Sequence, residues 1–169
     1  MGHRALVAYR HAGDRHDLHR SQWGGADFAL LEHLSAATPY ALDTPYAVDP
    51  EPVATAVSIP EIVDHHLDFL RHEAFYRVDR DCEPTAFHVC WFGLELDAES
   101  VARSETVGHG ALVEVVPGTA DYVRGWFRGT KAVVGDLVDR GTLTRREATD
   151  LLAARIEAWS GDREVVDPP

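Results

Sequence analysis

Hydrophobic positions first follow a strand-like pattern and later a helical one. Residues 3–10 hold Leu, Val and Tyr in a short run that predicts a strand. Gly13-Asp14 marks a turn, and residues 17–23 return as the second strand of a hairpin. Within that return strand His19, Ser21 and Trp23 fall on one face, and Leu18, Arg20 and Gln22 on the other. Gly24-Gly25 breaks the strand, and Asp27 can then cap a helix over residues 27–37, with Phe28, Leu31 and Leu34 as its buried stripe. Ser58-Ile-Pro-Glu61 is a capping box with proline in the first turn, and it opens a helix predicted over residues 58–73. Residues 75–80, 85–94 and 111–116 read as strands. Apolar residues then recur at helical spacing over 119–140, Gly141 is a stop, and Thr144-Arg-Arg-Glu147 is a second capping box for a helix ending near Trp159. Gly125 and Gly129, four apart on the first of these helices, are expected to allow close packing. The pattern predicts one α+β domain over residues 1–160. Its antiparallel sheet has about four or five strands, with helices on one face, a C-terminal αα-hairpin, and a frayed tail over 161–169.

One stretch departs from both periods. Thr38-Pro-Tyr-Ala-Leu-Asp43 is followed at once by Thr44-Pro-Tyr-Ala-Val-Asp49, a tandem hexapeptide with one conservative change. Four prolines between positions 38 and 52 exclude a helix and favour extended backbone across the 38–57 loop. A duplicated surface loop is the expectation, with an aromatic flap carrying Tyr40 and Tyr46 as the functional alternative. On the surface-loop expectation, deleting residues 44–49 shifts stability by no more than about 1 kcal/mol, because closure entropy changes slowly with loop length.

Charge adds a statement about milieu. The 169 residues carry 28 acidic and 16 basic side chains, net −12, and arginine outnumbers lysine 15 to 1 with no asparagine at all. Such usage suits a GC-rich genome and a salt-filled cytoplasm, where carboxylates keep the surface hydrated while their mutual repulsion strains the compact state. Transfer from about 1 M KCl to about 0.1 M is therefore expected to loosen or unfold the protein as the Debye length lengthens from ~3 to ~10 Å. A melting temperature unchanged across that range would overturn the halophilic reading. No apolar run reaches the roughly 18 residues of a membrane span and no signal-peptide core is seen, so a soluble, cytoplasmic protein is expected. Cys82 and Cys90 are too few for a disulfide scaffold.

Several segments together carry a resemblance. The opening Met-Gly-His-Arg-Ala-Leu-Val-Ala-Tyr, Trp23-Gly24, His72-Glu-Ala-Phe-Tyr76, Trp91-Phe-Gly93 and Val107-Gly-His-Gly-Ala-Leu112 resemble a family of small uncharacterised haloarchaeal proteins. The resemblance spans the chain outside the repeated loop. It implies a halophilic source and no assigned activity.

Three constellations could carry chemistry. Residues 1–23 hold four arginines against two aspartates, net +2 in a chain otherwise strongly acidic. With a hairpin register that puts Arg4 on the face of His19 and Ser21, these residues and the Gly24-Gly25 step would bind an anion. A small anionic molecule or a nucleic-acid backbone are the partners this site would take. On the helix after Ser58, His65, Asp68 and His72 fall on one stripe and could hold a divalent metal, though a solvated helix face is the better reading of them. Cys90 lies in an apolar strand with His88 two residues away, a position that favours inert packing over nucleophilic catalysis, and Ser104 lacks a nucleophile-elbow context. No dinucleotide fingerprint or phosphate loop is present, and no cofactor is expected. The functional expectation is a non-enzymatic binding or interaction module with an anion site on the hairpin. The alternative is a metal-dependent or acid/base enzyme built on histidines and carboxylates.

Overall fold

The computed structural model describes residues 2–93 and 108–167. Leu94, expected to end the central strand, and Ser104 lie outside the described residues. The elements run β1 (Arg4–Arg10), β2 (His16–Ser21), a short 3-10 turn (Ala26–Phe28), α1 (Leu30–His33), β3 (Ala54–Val57), α2 (Ile59–His65), β4 (His72–Val78), β5 (Pro84–Trp91), β6 (Gly110–Glu114), α3 (Ala120–Asp139), α4 (Arg145–Ser160) and β7 (Val165–Val166). The fold is mixed α+β, as the alternation of patterns predicts.

The sheet is larger than the expected four or five strands. Seven strands are ordered β3-β2-β1-β4-β5-β6-β7, and every neighbouring pair is antiparallel except β1 and β4. The parallel pair arises because the chain leaves β2, adds β3 at the edge, crosses by α2 and re-enters beside β1. The helices also occupy both faces, not one. On one face Ala5, Val7, Tyr76 and Ala86 pack with Phe28 and Leu30, and farther along Cys90, Ala111 and Val113 meet Val134, Leu152 and Ile156 of the α3–α4 hairpin. On the other face Leu6, Ala8, Leu18, Phe75, Phe87 and Leu112 are covered by Ile62 and Val63 of α2, with Leu67 and Phe69 behind it. A sheet buried on both sides reads as continuous apolar strands, which is the pattern β1 and β5 show.

Both capping boxes form. Ser58 Oγ and Thr144 Oγ1 accept from the backbone N–H of Glu61 and Glu147, whose carboxylates accept in return from the cap N–H. The helix predicted over 27–37 does not. Asp27 and Phe28 adopt positive φ of 46° and 56°, so Asp27 caps nothing and only one turn of α-helix follows. The helix opened by Ser58 stops at His65, eight residues short of the expected end. Asp68 is the reason: its Oδ1 accepts from the N–H groups of Leu70 and Arg71 and turns the chain into β4.

Part of the tail expected to fray is tied down. Val165 and Val166 pair with Val113 and Leu112 as β7, and Glu164 takes both outer nitrogens of Arg77 at 2.7 and 2.8 Å. Gly125 and Gly129 do not pack against the core, since a Cβ on either would meet nothing within 4 Å. Trp126 instead stacks on Trp159 at 4.3 Å to hold the helical hairpin together. Among the described residues no helix is long and apolar enough to cross a membrane.

Candidate anion cleft

Hairpin register decides the fate of the predicted anion site. Ala5 lies opposite Ser21, Leu6 opposite Arg20 and Val7 opposite His19. Odd positions of β1 therefore share a face with odd positions of β2, so Arg4 is on the opposite face from His19 and Ser21. This separates the predicted constellation of Arg4, His19, Ser21, Gly24 and Gly25.

Each separated residue has a structural task. His19 is buried, donates from Nδ1 to the Asp49 carbonyl at 2.8 Å, and packs between Tyr9 and Tyr40. Ser21 Oγ donates to the Tyr46 carbonyl and accepts from the Gly24 N–H. The Gly25 N–H donates to the His3 carbonyl at 2.7 Å. With both glycine N–H groups engaged, that corner offers no donor to an anion. The glycines are there for close approach, because a Cβ on Gly25 would lie 2.7 Å from the Arg4 carbonyl oxygen. Tyr40 and Tyr46 likewise pack onto the core and form no flap.

The metal stripe is also broken up. His65 is exposed at the end of α2, Asp68 is buried in the turn beyond it, and His72 begins β4. His72 Nδ1 lies 3.0 Å from the backbone nitrogen of Asp68 and 3.1 Å from its carbonyl oxygen, which ties the ring to the turn before β4. Burial holds this ring neutral, pulling its pKa down to about 4, with Arg20 and Arg4 adding to the effect against the opposing pull of Asp68. Among the described residues no group of three or more His, Cys, Asp or Glu side chains is placed to hold a metal ion. Cys90 is fully buried and its thiol is pushed up to about 12, which leaves it un-ionised at neutral pH.

A different grouping emerges on the face of Arg4. The same register that removes His19 brings in Arg20, a diagonal neighbour of Arg4 across the hairpin, while β4 sets His72 beside Arg4 on its other side. These three side chains line one wall of a cleft of about 650 Å³. Arg71 and His66 approach from the segment after α2, and Leu42, Asp49, Pro50 and Val53 of the proline-rich loop close the far side. Arg71 is within 3.6 Å of the buried Asp68 carboxylate. Neither Arg4 nor Arg20 has an ion-pair or hydrogen-bond partner for its guanidinium among the described residues. Of the acidic groups nearby, Glu73 pairs with His3 at 2.8 Å, while Asp49 lines the cleft and accepts from the Glu51 N–H.

Of the residues predicted for the anion site, Arg4 and Ser21 line this cleft, and Arg20, Arg71 and His66 were not among those predicted. The face assignment of Arg20 was available from strand alternation; its partnership with Arg4 needed the register.

The chain belongs to a family of unknown function, DUF6735, whose family model matches residues 1–46 and 42–166. The two matched stretches meet and overlap inside the tandem hexapeptide. No curated protein and no solved structure matches the chain.

Proposed function

We propose that the protein is a binding module that takes a small anionic ligand in the cleft between the N-terminal hairpin and the proline-rich loop, with Arg4 and Arg20 as its principal cationic contacts. The observation that carries this is the juxtaposition of two unpartnered guanidinium groups on one sheet face within a concave site. Like charges on diagonal cross-strand neighbours oppose each other, and an anion between them turns that repulsion into two charge-assisted hydrogen bonds. Arg71 closes the rim with its charge set against Asp68, and His72 contributes a neutral imidazole. The cleft is short and walled by a loop, which suits a small molecule better than a nucleic-acid strand.

A panel of small anions tests the proposal by thermal shift. A ligand at 100 times its Kd stabilises the folded form by about 2.7 kcal/mol. At least one anion is expected to raise the melting temperature of the wild type. Arg20→Ala should remove that gain, and Arg155→Ala, which changes an exposed arginine of α4, should keep it. No anion-dependent difference between the wild type and Arg20→Ala would overturn the assignment.

A further inference from the structure

We infer that the outer face of α3 is a self-association surface, on which a second copy of this chain docks antiparallel about a two-fold axis at Gly129. No residue of α3 lines the anion cleft, so this inference stands apart from the ligand reading. Helical spacing brings Tyr122, Gly125, Gly129, Val133 and Asp136 to one side of α3, away from the buried Val123 and Val134, and all five are exposed. Two of them are large and apolar: Val133 is 63% exposed and Tyr122 is 61% exposed, about three turns apart. The two glycines are the other departure from an ordinary solvent face. Glycine is, after proline, the poorest residue for a helix interior, and a Cβ on either would meet nothing within 4 Å. No described residue occupies the space they leave.

The spacing states what fits there. Tyr122, Gly125, Trp126 and Gly129 stand at i, i+3, i+4 and i+7, the four corners of the hole that receives a knob when helices pack. Two corners lack a side chain, so the hole is deep. Val133, one turn beyond it, is an exposed apolar knob. Knob and hole lie at matching distances on opposite sides of Gly129, so an antiparallel copy seats each Val133 in the other's hole. The same axis brings Tyr122 level with Asp136 of the other copy, where the phenol can donate to the carboxylate. A parallel copy would set knob against knob and leave both holes empty.

Charge agrees with a second copy as the occupant. At net −12 two copies repel over most of their surface, whereas these five positions carry one charge, that of Asp136, with Arg140 a turn further on. A single face of a 20-residue helix, about 30 Å long, supplies less than the roughly 800 Å² per partner of a stable interface. The dimer is therefore weak and concentration-dependent.

Sedimentation equilibrium of the full-length protein in about 1 M KCl, where the repulsion is screened, tests this. A reversible equilibrium between monomer and dimer is expected. Val133→Glu and Gly129→Gln should each weaken it at least tenfold. Gly129→Gln should also raise the melting temperature of the dilute monomer, because glutamine favours a helix interior over glycine. A variant that merely damaged the fold would lower both. In a Cys82→Ser background, the Tyr122→Cys and Asp136→Cys proteins should cross-link on oxidation when mixed and fail to do so separately. A protein that stays monomeric up to millimolar concentration overturns the inference, and so does a dimer indifferent to both Val133→Glu and Gly129→Gln. Tyr122→Cys linking to itself would overturn the antiparallel arrangement.

Discussion

Acidification from pH 7 to pH 4 is expected to remove about 6 kcal/mol of stability through two histidines, the part-buried His72 and the buried His88. Burial pulls both down to about 4; Arg20 and Arg4 reinforce the effect at His72, and Arg124 and Arg163 at His88. An unfolded histidine titrates near 6.5, so between 6.5 and about 4 the unfolded chain binds protons that the folded one refuses. Stability is therefore fully present above about pH 6.5 and falls as pH drops toward 4, by about 3 kcal/mol for each imidazole. A third ring, His16, is buried with both nitrogens lacking a hydrogen bond of ordinary geometry, and its pKa is lowered by the same desolvation, so it acts in the same direction. Domains are commonly stable by only 5–15 kcal/mol, so this loss brings the protein close to unfolding well above the carboxylate range. Denaturant melts at pH 7, 6, 5 and 4 measure it. His88→Leu should flatten the pH dependence by about one proton's worth, because Nε2 of that ring makes no hydrogen bond and the ring meets Phe28 in a T-shaped contact. A stability that stays level down to pH 4.5 would show that these rings are hydrated in the folded state.

The same histidines illustrate what was legible in the sequence. Local chemistry was: both capping boxes lie within four residues and form where the sequence places them, and the long period-3.6 run yields α3 with little error. Non-local pairing was not. In β1 the four residues from Ala5 to Ala8 are all buried, two toward each face, so alternation carried no sign of which face was which. The turn fixed the register instead, through His11 N–H to the Arg15 carbonyl and Arg15 N–H to the Ala12 carbonyl. The helix predicted over residues 58–73 includes His72; the side chain of Asp68 ends it earlier by satisfying backbone N–H groups in a turn. β3 follows Pro52 and β7 has two residues, so neither carries a pattern long enough to read. The cleft combines positions 4, 20, 42 and 71, which only the closed sheet brings together.

Val48→Asp is expected to cost about 4 kcal/mol or to unfold the protein, while Leu42→Asp changes stability by less than about 0.5 kcal/mol. The two residues hold the same position in the two copies of the hexapeptide, yet Leu42 is 61% exposed and Val48 is 0% exposed. The copies are alike in sequence and unlike in duty. The second is bound to the sheet: Val48 bridges to Ser21, the Asp49 N–H donates to the Arg20 carbonyl, and the carbonyls of Tyr46 and Asp49 receive Ser21 and His19. The first contributes Ala41, buried with a φ of 48°, and turns its Leu42 toward the cleft. Deleting residues 44–49 thus removes core, and the small effect expected of a surface loop is reached only if the first copy slides into the vacated place. Sliding would set Leu42 where Val48 was and Asp43 where Asp49 was. A double variant resolves it. If sliding occurs, Leu42→Asp is harmless in the full chain and unfolds the shortened one. If the shortened protein folds and still tolerates Leu42→Asp, the first copy has not replaced the second.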